Sequence, residues 1–558
     1  MMRNFLQQGK VFLLKRQSNI LSAATVISLF YGLSMLLGLL RDRLLIGHFY
    51  GCCSKELDVY LAAFRLPDTI FQLLVIGALS AAFIPVFSEH LLKDKREAFG
   101  LASSFINLLV VIFFVLAGLI FIFARPISIM ITGNFSLSQI DLMVGLTRLM
   151  LFAQFFFLLS NFLTGIIQSH ERFLVPAISP VVYNLGIIIG IVFLSPIFGI
   201  YGPAIGVVLG ALLHFLVQLP LLINLGGSWR PSFDFKHPGV REIGKLMLPR
   251  TLALAVSQVE ASVTLFLATS LISGSLTIFY LASNLMQLPI RLVGIPLGQA
   301  TLPALSLKRR ENFDQFQKIL LTSLWQIVYL VLPATAILLV LRVPVVRLAF
   351  GARGFPWAAT VLTAQTLAIF SIAIIAQACI QLLIRGFYAL HNTKKPLLIG
   401  LVSVVLNVVL SIWLTFDLGW GVLGLATATS IASLLQVILL FIYLDRLVKF
   451  NKKTLLFPFL KMGLAAIATA FFLWIPMRIL DRFILDTTRT INLAILTATA
   501  TLVGMGVYLF FSWVLKIEEL DVFVGLARRV SQWRKVLRES EVLQETEEIL
   551  QPAGRPQS

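Results

Sequence analysis

Arg41, Asp42, Arg43, Arg65, Asp68, Glu260 and Arg291 stand inside or at the ends of long apolar runs of this 558-residue chain. An ionised side chain at mid-bilayer costs about 2.5–3.5 kcal/mol on insertion scales, so each such residue must face a partner or a polar cavity. Cations slightly outnumber anions in this set, which suits an anionic ligand, and the planar fork of arginine binds phosphate bidentately. Other readings stay open. Arg65 and Asp68 are spaced i,i+3 and could neutralise each other. Arg41 could be an interfacial residue with its head in the wet zone. Glu260 and Arg291, about 5 Å apart in depth at the helical rise, could pair across two helices.

Little else in the chain offers chemistry. Cys52 and Cys53 are adjacent, Cys379 lies in an apolar run, and the six histidines have no ligand spacing, so disulfide and metal frameworks are weak readings. No glycine-rich phosphate loop follows a strand, which removes ATP as a driver. An integral glycosyltransferase would want paired acids beside the membrane, and only Asp42, Asp58 and Asp68 offer themselves.

The elements that hold these residues follow from composition. Hydrophobic residues make up 58% of the chain and charged residues 13%, about half the charged share of a soluble domain. That excludes a cytosolic enzyme, a secreted disulfide scaffold and a nucleic-acid-binding domain. A helix needs roughly 20 apolar residues to cross a bilayer, and fourteen runs qualify, from 20–40 and 59–88 to 457–477 and 491–515. Two divisions rest on turn chemistry, at Ser195-Pro196 and Ser273-Gly274. The expected fold is an all-α polytopic membrane protein with about 14 transmembrane helices.

Of the 45 Lys and Arg, 32 fall in the even-numbered loops and termini and 11 in the odd-numbered loops. By the positive-inside rule both termini are cytoplasmic, and the net charge of +19 is a topology signal, with no nucleic-acid partner expected. The polar start of the chain argues against a cleavable signal peptide. Residues 516–558 read as a basic amphipathic helix with Arg528, Arg529, Arg534, Lys535 and Arg538, followed by an acidic tail. Such a helix either rests on the anionic inner leaflet or binds a partner.

The chain also repeats itself. Ala82-x2-Pro85-x2-Ser88 recurs as Ala300-x2-Pro303-x2-Ser306, and Gly165-x4-His170 before Pro176 recurs as Gly386-x4-His391 before Pro396. Both offsets equal six helices, an even number, so the copies share one orientation. The expected organisation is a six-helix lobe at 1–224, a cytoplasmic linker at 225–245 and a second six-helix lobe at 246–443. An additional helix pair at 457–515 and the tail at 516–558 complete it. Transporters duplicated in this way bind substrate between repeats and rock one against the other.

Gly38-Leu-Leu-Arg41-Asp42, Asp58-x5-Phe64-Arg65-Leu66-Pro67 and Gly77-Ala-Leu-Ser-Ala-Ala-Phe-Ile-Pro85 closely resemble the opening of the MurJ (MviN) lipid II flippases. Leu288-Pro289-x4-Gly294 and Phe387-Tyr388 with Lys394-Lys395-Pro396 are similar to that family's later landmarks. The resemblance spans roughly 20–515 and places the chain in the multidrug/oligosaccharidyl-lipid/polysaccharide exporter superfamily. It implies a transporter, not an enzyme, that carries undecaprenyl-pyrophosphate-linked peptidoglycan precursor from the inner to the outer leaflet of the bacterial cytoplasmic membrane. A cationic cavity would receive the pyrophosphate and sugar, and a groove along 457–515 the lipid tail. The partners implied are lipid II, membrane lipids and cell-wall synthesis proteins.

Residue by residue, the family's Arg-Asp pair falls on Arg41 and Asp42, an acidic position on Asp58 and a basic one on Arg65. Three family arginines fall on Met35, Phe71 and Asn284, and a glutamate on Gln287, while Arg291 lies seven residues from Asn284 and so near its face. The implied substrate set is therefore Arg41, Asp42, Asp58, Arg65, Glu260, Asn284, Gln287 and Arg291. A sodium site known in some members would fall on Asn407, Ser411 and Thr429, with Thr264 where an aspartate is expected. Without a carboxylate such a site is weak, and polar helix packing is the plainer reading. No cofactor is expected, and the driving force is the membrane potential or sodium. Two alternatives remain: a flippase for another lipid-linked oligosaccharide, and a transport-dead scaffold of the cell-wall machinery. A drug or cation antiporter would want an acidic cavity.

Overall fold

The structure is a computed structural model that describes residues 20–77, 79–227, 232–234, 237–311, 313–450, 452–521 and 524–525. Every regular element among them is helical. That is what lipid requires, since a helix satisfies its backbone groups internally and an open strand does not. The main helices are α1 (Ile20–Ala63), α2 (Arg65–Phe71), α3 (Ile84–Lys93), α4 (Lys95–Ile131), α5 (Leu137–Ser169), α6 (Leu174–Ile189), α7 (Tyr201–Leu216) and α8 (Pro238–Thr269). They continue as α9 (Ser275–Pro289), α10 (Ile295–Glu311), α11 (Phe313–Val340), α12 (Arg342–Phe350), α13 (Trp357–Ala389), α14 (Lys394–Ile412), α15 (Val422–Val448), α16 (Lys452–Ile479) and α17 (Thr490–Val514).

Among the described residues thirteen helical stretches are long and apolar enough to cross a membrane, against the fourteen runs expected. The difference lies at the start. Leu29–Ile76 is one stretch of 48 residues, about 72 Å at 1.5 Å per residue, more than twice a bilayer core of about 30 Å. It has room for the first two expected crossings, and Cys53 breaks it with φ −143° and ψ 43°. The division expected at Ser273-Gly274 is present, with Gly274 at φ +89°. The one expected at Ser195-Pro196 falls four residues later, at Gly199 with φ +55°. Pro196 starts a short helix (Ser195–Phe198) instead of ending one, as proline does in a first turn.

The chain separates into two compact units. The first comprises the described residues up to 288, with 342–373 and 393–439. One of its cores is aromatic: Phe83 stacks with Phe87 and Phe105 and meets Phe162 edge-on. Elsewhere in this unit α6 and α7 approach through glycine. A Cβ on Gly190 would lie 2.6 Å from the Gly206 Cα, and one on Gly186 2.4 Å from that of Gly210. Small residues at four-residue spacing are how helices come close in lipid, where no hydrophobic force drives them together.

The second unit comprises 289–341, 374–392 and the described residues from 440 onward. Here α11, α16 and α17 pack together. The buried Tyr508 hydroxyl donates to the Tyr329 carbonyl at 2.8 Å, and Gly504 leaves room for Leu473.

Backbone irregularities carry the repeat. A π-helical turn at Gln72–Ile76 recurs at Ile290–Gly294, at the same 218-residue offset as the Ala-x2-Pro-x2-Ser pair. A second, Gly190–Leu194, closes α6 as Trp413–Asp417 closes α14. The turns after α5 and α13 also match. Arg172 N–H reaches Ile167 O with Glu171 at φ +59°, and Asn392 N–H reaches Phe387 O with His391 at φ +56°. Both are Schellman caps built without glycine.

The expected linker is described only in part, and the basic and acidic segments of the tail lie outside the described residues. At the end of α3, Lys93 bonds Glu89 at 2.8 Å. The pair holds the glutamate below and the lysine above their ordinary ranges, and being fully exposed it contributes little to stability.

Candidate functional site

Most of the charged residues singled out in the sequence lie in the first unit, where they form five separate polar clusters. Arg41 folds back on its own neighbour: Nε and Nη2 donate to Asp42 Oδ1 at 2.9 and 2.7 Å. Adjacent residues on a helix do not face each other, so only the length of arginine permits this. Nη1 donates to Asn184 Oδ1 at 3.2 Å, and Asn184 is fixed by bonds of 3.1 Å to Ser34 O, Ser34 Oγ and Pro180 O. Asn284 Nδ2 closes the set on Asp42 Oδ2 at 3.2 Å. Three of the five N–H groups of arginine are thus engaged. The rest are free for a ligand among the described residues, and the side chain keeps 20% of its exposure.

Arg65 does not pair with Asp68. Its Nε donates to Ser262 Oγ at 3.0 Å, and its Nη2 to Gln258 O and Gln258 Oε1 at 2.5 and 2.7 Å. This clamps α2 to α8. Asp68 instead accepts from Gln154 Nε2 at 2.9 Å. Among the described residues no ion pair joins Arg65 to Asp68.

Glu260 is bound by a residue that the sequence had placed elsewhere. Asn407 Nδ2 donates to Glu260 Oε1 at 2.8 Å, and Ser411 Oγ donates to Asn407 Oδ1 at 3.3 Å. The carboxylate absent at Thr264 is therefore supplied one turn earlier on α8, and Thr264 itself bonds the Glu260 carbonyl at 3.0 Å. Thr429 donates to Leu425 O in its own helix at 2.9 Å. The donor set beside Asn407 is one carboxylate and two neutral oxygens.

Asp58 is a cap. Oδ2 accepts from Gly274 N–H, and Oδ1 from the N–H and hydroxyl of Thr277, at the start of α9. Gln287 is half-buried and partnered. Arg291 belongs to the second unit and is exposed on the π turn after Pro289. The seven-residue spacing that put it on the face of Asn284 assumes regular α-helix, which that turn interrupts. Sequence reasoning missed Asn184, Gln154, Gln258 and Ser262. The available signal was a lone amide in an apolar run, as at Asn184 within 173–194.

Comparison with known proteins adds the remaining evidence. The family model described as "Lipid II flippase MurJ" matches residues 53–494. A probable lipid II flippase MurJ of Vibrio cholerae is 29% identical over 480 residues, covering 82% of this chain and 89% of its own. A lipid II flippase MurJ of Burkholderia cenocepacia is 29% identical over 440 residues, covering 77% and 84%. A solved structure titled as lipid II flippase MurJ in an inward closed conformation aligns with a TM-score of 0.72 at 27% identity, covering 88% of this chain and 98% of the other. An inward-facing multidrug resistance MATE transporter of the MOP superfamily aligns at a TM-score of 0.60 and 17% identity, a likeness of fold alone.

Proposed function

We propose, from the premise that this chain belongs to the lipid II flippase MurJ family, a route by which its own residues serve the transport of lipid II across the membrane. The chain is a multi-pass transporter and no covalent step is required. The family match over 53–494 carries the reading. Arg41 supplies the local chemistry: a guanidinium oriented by Asp42 and Asn184 with N–H groups still free. A pyrophosphate arriving there gains charge-assisted bonds from a pre-set donor. Asp42 lowers the cost of keeping that arginine in the membrane while the site is empty.

In this reading Arg65, clamped to α8 in the same unit, adds the further positive charge, and Arg291, exposed on its π turn, is a separate basic position. The lobes at 1–224 and 246–443 alternate, and the helix pair at 457–515 guides the lipid tail. The location is the bacterial cytoplasmic membrane, with cell-wall synthesis proteins as neighbours. The driving force is the membrane potential, worth about 2.3 kcal/mol per charge per 100 mV. Sodium is the lesser alternative. Glu260, Asn407 and Ser411 are the residues that would hold it, but a hard cation favours more oxygen ligands than this set provides.

The test is complementation of a bacterium depleted of its own lipid II flippase, with insertion verified for wild type and for Arg41→Ala, Arg65→Ala and Arg291→Ala. Rescue by wild type and loss in Arg41→Ala are expected. Failure of a well-inserted wild type overturns the cargo assignment, and direct lipid II binding then separates another lipid-linked glycan from a scaffold.

A further inference from the structure

Asp68 stands in a membrane-spanning stretch, and among the described residues no ion pair reaches it. Arg65, one turn before it, is committed to Gln258 and Ser262, and the side chain that reaches Asp68 is the neutral amide of Gln154, through Nε2 to Oδ1 at 2.9 Å. The other end of that amide is unsatisfied. Gln154 is 3% exposed, and its Oε1 is buried with no hydrogen-bond partner. A buried acceptor left unpaired is uncommon and calls for a missing donor. One source of it is the carboxyl group already bonded to the same amide.

We propose that Asp68 and Gln154 form a proton-binding site. A proton taken from the aqueous phase forms an O–H bond on Asp68 Oδ2, and no heavy-atom bond breaks. The neutral acid then donates to Gln154 Oε1 while its Oδ1 keeps accepting from Nε2. One hydrogen bond becomes a cyclic acid–amide pair, and both the orphan acceptor and the unpaired charge are removed together. Asp68 is part-buried. The titratable groups that face it are Arg65 on its own helix, Tyr183 of α6 and Tyr280 of α9.

A consequence follows that rests on the flippase reading. Neutralising Asp68 leaves the charge of Arg65 uncompensated nearby, which strengthens the attraction for a pyrophosphate. Proton uptake and cargo binding then favour each other, as linkage requires of two coupled ligands.

Infrared difference spectra of the protein in lipid nanodiscs, between acidic and alkaline buffer, test the site itself. A protonated-carboxyl carbonyl band is expected that vanishes in Asp68→Asn and moves towards the free-acid frequency in Gln154→Leu. Absence of any band removed by Asp68→Asn overturns the site, and a band unmoved by Gln154→Leu overturns the acid–amide pair. Lipid II flipping by proteoliposomes across pH tests the consequence. The wild-type rate should vary with pH by up to about tenfold per unit, the limit for one proton, and Asp68→Asn should flatten it. A pH-flat wild type overturns the coupling. A wild type that flips nothing overturns the cargo assignment and leaves the spectroscopic result standing.

Discussion

Asp58 caps a helix that begins 217 residues after it: Oδ1 accepts from both the N–H and the hydroxyl of Thr277, while Oδ2 accepts from Gly274 N–H. An N-cap normally comes from the residue just before the helix; here α1 supplies it to α9. Asp58 therefore fixes the turn between α8 and α9, the helices that carry Glu260 and Asn284.

Asp58→Ala should leave those donors buried and unpaired and destabilise the protein by about 1–3 kcal/mol. Thermal unfolding in detergent should show a lower midpoint, with Asp58→Asn intermediate because it keeps one acceptor. Transport should decline with the amount of folded protein and not with lipid II affinity. A loss of affinity at full stability would place Asp58 at the cargo instead.

Arg65→Lys should behave almost like Arg65→Ala. The fork reaches Ser262 and both Gln258 acceptors together, and an ammonium on a flexible stem cannot reproduce that geometry. Flipping in proteoliposomes should fall at least about tenfold in both variants, a loss of roughly 1.4 kcal/mol, with normal membrane insertion. Retained activity in the lysine variant would show that charge alone is needed.

Gly190→Val and Gly206→Val should each abolish folded protein. Each added Cβ would lie under 3.0 Å from the facing helix backbone, and backbone atoms cannot rotate away as a side chain can. Gly463→Ala in α16, which meets nothing within 4 Å, serves as the control. Yield of monodisperse protein by size-exclusion chromatography reads the difference.

Asn284→Arg should raise lipid II affinity. The present Asn284 amide bonds Asp42 Oδ2, and an arginine there would pair with the same oxygen and draw Asp42 from Arg41. Two guanidinium groups would then share one carboxylate. Binding of lipid II by purified protein is the measurement, and a fall in affinity would show that Asp42 must stay with Arg41.

The apolar runs located the helices because burial in lipid dictates composition over about 20 residues. The repeat was visible through Pro, Gly and His at turns, where backbone geometry restricts residue type. The partners of the charged residues were much less legible. The i,i+3 spacing of Arg65 and Asp68 suggested a pair, yet the guanidinium finds three acceptors on α8, and only the packing of α2 on α8 reveals them. Asp58 gave no sign of capping because its partners are more than 200 residues away. The π turns have no compositional mark, so the interruption between Asn284 and Arg291 could not be read in advance.

That interruption bears on how such a chain can change over generations. A π turn is one residue inserted into an α-helix, and losing any single residue within Ile290–Gly294 would restore regular geometry. Everything beyond would keep its rotation about the axis, because the extra residue is held in the bulge and does not advance the helical register. A three-base deletion could thus make this helix regular in one step, with no side chain substituted and none beyond it turned to a new face.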